Sequence, residues 1–273
     1  ELFIIPSLMG WLMAAVGVAT HAVIGQPGAP GRLNVGPLAG AMAAGALVGW
    51  IISLLLLWRN IFKLSFPHGD PMQDVDRPAA EAEIAAARAR GENPPPLPPV
   101  YTSRELRREL YKEVLFLLPP MLLSAAFAII VLRLPQAAAT WKNFMASPHV
   151  SGALGAVLGA MVGGFVVWIT RILGTLGFGR LAMGLGDVHL MFGVGAIIGA
   201  GAVTVAFFIA PFFGMILALY LLAFGKRREI PYGPYLSLGA AATILAYCRI
   251  EQWVAPGLSG LGIAIRGLVT GTH

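Results

Sequence analysis

Seven apolar runs constrain the fold of this chain more than any other feature of its sequence. They are Leu2–Val23, Pro37–Trp58, Val114–Leu132, Ser151–Thr170, Val188–Gly201, Val203–Phe224 and Tyr235–Cys248. A helix needs about 20 apolar residues to cross a bilayer, so the runs predict about seven transmembrane helices, of which the fifth and seventh are short. Only 12% of the residues are charged, against about 25% in soluble domains. The composition therefore excludes a water-soluble globular protein and predicts an all-α, polytopic membrane helical bundle.

A long polar insertion separates the second run from the third. Residues 59–112 contain nine of the nineteen Lys and Arg residues. Within the insertion, Ala79–Arg90 and Ser103–Tyr111 have the composition of charged or amphipathic helices, and Pro94–Pro99 is typical of a rigid spacer. The sequence thus predicts four parts: two transmembrane helices in 1–58, the insertion in 59–112, a transmembrane core in 113–250, and a re-entrant or interfacial tail in 251–273.

The basic residues are distributed unequally between the two predicted sides of the membrane. Fourteen lie on the side of the insertion, which also contains the predicted loop segments Arg171–Gly186 and Lys226–Pro234, and five lie on the other side. The positive-inside rule places the more basic side in the cytoplasm. Because these residues flank apolar runs, the formal net charge of +6 indicates membrane orientation. It predicts contact with a lipid bilayer and no nucleic-acid partner.

Glycines recur four residues apart at three places in the chain. These are Gly155 with Gly159 and Gly163, Gly36 with Gly40, and Gly195 with Gly199. Small residues at this spacing let transmembrane helices approach closely. We predict tight helix packing at these positions, with a groove for a docked substrate as the alternative.

Asp187 differs from the other acidic residues, nearly all of which lie in the insertion or at exposed ends. It follows Gly184-Leu185-Gly186 and directly precedes the fifth apolar run. An ionisable residue at a membrane boundary is a functional candidate, whereas Asp is also a common helix N-cap. Both interpretations stay open, although the two glycines would let a peptide reach the carboxylate. The single cysteine, Cys248, and the absence of clustered ligands predict no disulfide and no metal site.

A second candidate segment, Ile230–Tyr235, follows three consecutive basic residues. It contains Pro231 and Pro234 on either side of Gly233, which predicts a stiff, non-helical loop. On the predicted orientation, this loop lies on the same side of the membrane as Asp187. A plain turn between two helices is the alternative.

Together, Gly-Leu-Gly-Asp-Val-His-Leu at 184–190 and Ile-Pro-Tyr-Gly-Pro-Tyr-Leu-Ser-Leu-Gly at 230–239 resemble the type IV prepilin peptidases, intramembrane aspartyl proteases of the GxGD type. The resemblance implies cleavage of prepilin or pseudopilin leaders at the cytoplasmic face of the bacterial inner membrane. It implies that Asp187 is catalytic. The residues implied to bind substrate or shape the site are Gly184, Gly186, Pro231, Gly233 and Pro234.

In this family the first of two catalytic aspartates precedes an apolar segment that ends in Ile-Pro or Leu-Pro. Glu1–Pro6 resembles the downstream part of that motif, so we expect the first aspartate about two residues before Glu1. With Asp187 alone, the chain as given is expected to be inactive. Some members also methylate the new amino terminus, but no residue here indicates an S-adenosylmethionine site, and we assign no cofactor.

The sequence departs from the family pattern in three respects. His189 stands where lysine is usual, the four-cysteine domain of many members is missing, and the insertion is unusually long. Two other functions therefore stay open. One is a non-catalytic relative that acts as a membrane scaffold in a pilus or secretion assembly, and the other is a proton-coupled transporter.

Overall fold

The structure, a computed structural model, describes residues 7–23, 33–66, 77–94, 101–179, 181–223 and 232–246. Within these residues the chain forms α-helices and no β-strand. The helices are α1 (Ser7–Val23), α2 (Pro37–Trp58), α3 (Arg77–Ala89), α4 (Ser103–Arg133), α5 (Pro135–Met145), α6 (Pro148–Phe178), α7 (Leu185–Ile198), α8 (Ala200–Ala223) and α9 (Gly233–Leu245). The prediction of an all-α chain is confirmed for this part of the protein.

Four of the helices, α2, α4, α6 and α8, are long and apolar enough to cross a membrane. The helices α1, α7 and α9 are also apolar but have 17, 14 and 13 residues. At 1.5 Å per residue, α7 extends about 21 Å, against a hydrocarbon core of about 30 Å. The protein is thus a multi-pass helical membrane bundle, since helices satisfy their own backbone polar groups in lipid. Within the described residues it combines four apolar helices of spanning length with three shorter ones.

The helix α4 joins two segments that the sequence predicts as separate helices, Ser103–Tyr111 and Val114–Leu132. It begins with a capping box, in which the Thr102 side chain accepts a bond from the Glu105 amide and the Glu105 side chain accepts one from the Thr102 amide. Because no helix-breaking residue lies between the two segments, the helix continues into the apolar run. It also continues through Pro119 and Pro120.

The helix α6 extends further than its predicted range of Ser151–Thr170. It begins at Pro148 and ends at Phe178, where Gly179 adopts the left-handed conformation with φ +68° that ends many helices. Arg171, which the sequence analysis assigns to a cytoplasmic loop, is therefore a buried residue inside α6. That assignment is wrong. Without Arg171, thirteen basic residues lie on the predicted cytoplasmic side and five on the other side, so the predicted orientation is unchanged.

The predicted close packing of the α6 glycines is confirmed. A Cβ atom at Gly159 would overlap the carbonyl oxygen of Gly195, and one at Gly163 would overlap that of Met191. The backbones of α6 and α7 therefore touch along this face. The prediction for Gly36 is wrong, because Gly36 precedes α2 as its N-cap and has open space around the Cβ position.

The carboxyl-terminal helices α6 to α9 share one apolar core. Its buried members include Val167 of α6, Val188 and Met191 of α7, Val203 of α8 and Leu236 of α9. The first turns of α7 and α9 both contribute side chains to this core. It therefore fixes the two sequence motifs relative to each other.

Candidate active site at the start of α7 and α9

Asp187 lies in the first turn of α7 and is partly buried. The N-cap of this helix is Gly184, whose extended backbone has φ −74° and ψ 153° and which offers no side chain for capping. The interpretation of Asp187 as an N-cap is therefore wrong. Its position still suits a carboxylate, because the free amides and the dipole at a helix start favour a negative charge there.

The second motif begins α9, which packs against the same core as the first turn of α7. Tyr232 is the N-cap of α9, and it packs against the shared core together with Leu185 of α7. Burial, and after it the negative charge of Asp187, raises the pKa of the Tyr232 hydroxyl. Gly233 is buried and Pro234 is exposed in the first turn of α9, so the prediction of a non-helical loop is wrong for Gly233, Pro234 and Tyr235. Pro231 lies outside the described residues.

His189 lies on a different side of α7 from Asp187. Its ring centroid lies 6.2 Å from that of Trp11 in α1. Its Nδ1 lies 2.9 Å from the Leu185 carbonyl oxygen of the preceding turn. Residues two apart on a helix point in different directions, so Asp187 is near α9 while His189 contacts α1.

A buried ion pair close to the site is missing from the sequence analysis. Arg171 of α6 pairs with Glu113 of α4 at 3.3 Å, and each side chain is 1% exposed. The Arg171 guanidinium also donates to the carbonyl oxygen of Met183, the residue before the Gly184 cap. The sequence feature that indicates such a pair is a charged residue directly beside or inside an apolar run, because this charge is costly in a membrane unless it is paired.

The first turn of α7 carries one carboxylate, Asp187, and the start of α9 carries the hydroxyl of Tyr232. Among the described residues, no three His, Cys, Asp or Glu side chains are grouped as metal ligands. Residues 1–6, which resemble part of the first family motif, lie outside the described part of the chain. The catalytic role of Asp187 stays a prediction.

Comparison with known proteins agrees with the family resemblance of the two sequence motifs. The chain is 31% identical over 101 residues to a prepilin leader peptidase/N-methyltransferase of Aeromonas salmonicida, covering 36% of this chain and 35% of that protein. It is 37% identical over 98 residues to the protein of that name from Dichelobacter nodosus, covering 35% and 33%. These matches support the resemblance of this chain to the type IV prepilin peptidase family.

A further prepilin leader peptidase/N-methyltransferase, from Neisseria gonorrhoeae, is 32% identical over 83 residues, which are 30% of this chain and 29% of that protein. The chain thus spans about a third of the length of the prepilin peptidases that it matches. No family model matches the chain, and no solved structure matches it with significance.

Proposed function

We propose that this protein is an intramembrane aspartic endopeptidase that cleaves the leader of type IV prepilins or pseudopilins. The observation that carries the proposal is that the starts of α7 and α9 pack in one core. They contain the two motifs that resemble the prepilin peptidases, with Asp187 and Tyr232 forty-five residues apart in the chain. The similarity to proteins named prepilin leader peptidases supports the same activity.

Cleavage requires two carboxylates that share one proton. One removes a proton from the attacking water, while the other protonates the scissile carbonyl or the leaving amine. In this proposal Asp187 is one member of the pair, and the predicted upstream aspartate is the other. The free backbone amides at the start of α7 favour a negative charge on Asp187. The two carboxylates of the pair titrate jointly, because two close carboxylates do not both ionise easily.

The substrate would enter as an extended peptide at the end of the apolar core. Gly184 and Gly186 present little side-chain bulk next to Asp187, so a peptide backbone would approach the carboxylate closely. In the proposal, Pro231, Gly233 and Pro234 bind the substrate or shape the site, with Gly233 and Pro234 at the start of α9. The predicted orientation places this site at the cytoplasmic face of the bacterial inner membrane, where the basic leader of a prepilin would lie.

The decisive experiment is cleavage of a prepilin in membranes that contain the full-length protein or its Asp187→Asn variant. We expect the wild-type protein to shorten the substrate and the variant to lose at least about 100-fold in rate, the usual contribution of a general acid or base. Asp74→Asn, the same substitution in the insertion, is the matched control and should keep full activity. If no tested leader is cut by the wild-type protein, the proposal is wrong and a scaffold function is favoured.

A further inference from the structure

A buried polar cluster connects the insertion side of the protein to the loop that precedes Asp187. Its centre is the ion pair between Glu113 of α4 and Arg171 of α6. Removing two charges from water is costly, and such a pair persists only where further hydrogen bonds satisfy both groups. The groups that bond to Glu113 and Arg171 therefore indicate the role of this ion pair.

Glu113 accepts hydrogen bonds from three side chains, two in α6 and one in the segment that follows α2. Besides the Arg171 Nε, they are the Trp168 indole nitrogen at 2.8 Å and the Ser65 hydroxyl at 3.2 Å. Because these donors converge on one carboxylate, Glu113 fixes the position of α6 relative to α4. It also fixes the segment that follows α2.

The segment after α2 is held by a second carboxylate of α4. The backbone amide of Phe66 donates to Glu109 Oε2 at 3.0 Å, and Lys112 donates to the same carboxylate at 2.6 and 2.7 Å. The Phe66 ring lies below the Arg171 guanidinium, with its centroid 5.4 Å from Cζ. Arg171 is therefore enclosed between Phe66 and Glu113.

Arg171 makes a further contact outside this enclosure, toward the proposed active site. Its Nη1 donates to the carbonyl oxygen of Met183. One residue earlier, the amide of Ala182 donates to the buried Thr175 hydroxyl at 3.1 Å. Two successive residues before the Gly184 cap are thus bound to α6, and Asp187 follows within one turn.

We propose that Arg171 is a positioning residue that fixes the 181–184 loop, and through it Asp187, while Glu113 holds Arg171 in place. This inference rests on the proposed function for its effect on cleavage. Its structural half, the restraint of the loop, stands independently. The planar guanidinium contacts Glu113 and Met183 with different nitrogen atoms, which a single ammonium group does not reproduce.

The test compares Arg171→Lys with the double variant Glu113→Gln/Arg171→Met, both in lipid nanodiscs. The lysine keeps the charge beside Glu113 but loses the planar group that donates from several nitrogen atoms. The double variant removes both members of the ion pair. In both we expect the amides of residues 182–187 to exchange hydrogen at least about tenfold faster than in the wild-type protein. In the cleavage assay, kcat should fall about 10- to 100-fold with KM nearly unchanged, the effect of a misplaced catalytic group.

The matched control is Arg107→Met, which removes an exposed arginine of α4 and should change neither exchange nor turnover. If the double variant shows wild-type exchange and wild-type kcat, Arg171 merely fills a buried space and the inference is wrong. Slower cleavage with unchanged exchange at 182–187 also contradicts it. If the wild-type protein cleaves no prepilin, the proposed function fails, but the exchange measurement still decides whether Arg171 restrains the loop.

Discussion

Gly193 lies where α7, the helix that carries Asp187, packs tightly against α1. A Cβ atom at this position would lie 2.8 Å from the Gly10 carbonyl oxygen and 2.8 Å from Met13 Cβ. Ordinary contact begins at 3.4 Å, so Gly193→Ala would push the two helices apart by about 0.6 Å. The backbone oxygen has no rotamer with which to relieve the overlap.

The expected change in the free energy of unfolding of Gly193→Ala follows from two opposing effects. Alanine is favoured over glycine in a helix by about 1 kcal/mol, while forcing an extra carbon into a packed interface costs about 1–3 kcal/mol. Gly177→Ala provides a matched control, because Gly177 lies in α6 with open space around its Cβ position. The control should gain up to about 1 kcal/mol. The two variants should therefore differ by about 1–3 kcal/mol, which isolates the cost of the overlap.

The assay is the loss of helical circular dichroism as SDS is titrated into detergent micelles that contain each variant. We expect Gly193→Ala to unfold at lower SDS than the wild-type protein and Gly177→Ala at equal or higher SDS. If Gly193→Ala is as stable as Gly177→Ala, α1 does not press against α7 at this point and the packing argument is refuted.

Three further predictions concern single contacts. Ser53→Ala removes a 2.8 Å hydrogen bond from α2 to a backbone carbonyl of α4 and should cost about 1 kcal/mol in the same titration; an unchanged midpoint would show that the bond is dispensable. Thr102→Ala removes the capping box of α4 and should accelerate hydrogen exchange at the Glu105 amide, so equal exchange would argue against the cap. Burial and the charge of Asp187 raise the pKa of the Tyr232 hydroxyl above its ordinary value of 10.0. The stability that the neutral hydroxyl contributes to the folded protein is therefore fully present below about pH 10 and is lost as the pH rises through the raised pKa. Asp187→Asn should lower the pKa of Tyr232 without abolishing the shift, measured as tyrosinate absorbance after subtraction of the Tyr232→Phe signal; identical titrations would contradict the interaction.

Local sequence accounts for much of the helical architecture. The predicted run Pro37–Trp58 coincides with α2, since apolar composition and a proline in the first turn mark a helix without reference to the rest of the chain. Helix ends are less predictable. Gly199 with φ +85° separates α7 from α8. The helix α7 therefore ends at Ile198, before the predicted end at Gly201, and it begins at Leu185, before the predicted start at Val188.

The sequence by itself determined the membrane class, the helical fold and the two motifs, because composition and short spacings are local properties of the chain. Only the tertiary structure decided which polar groups meet. The pairing of Glu113 with Arg171 joins residues 58 positions apart, and the packing of α7 and α9 in a shared core brings the two motifs together. Counted along the chain, Arg171 is typical of a cytoplasmic loop. In the fold it is buried and contacts the 181–184 loop, and it is paired with Glu113 because a buried charge is costly without an opposite charge.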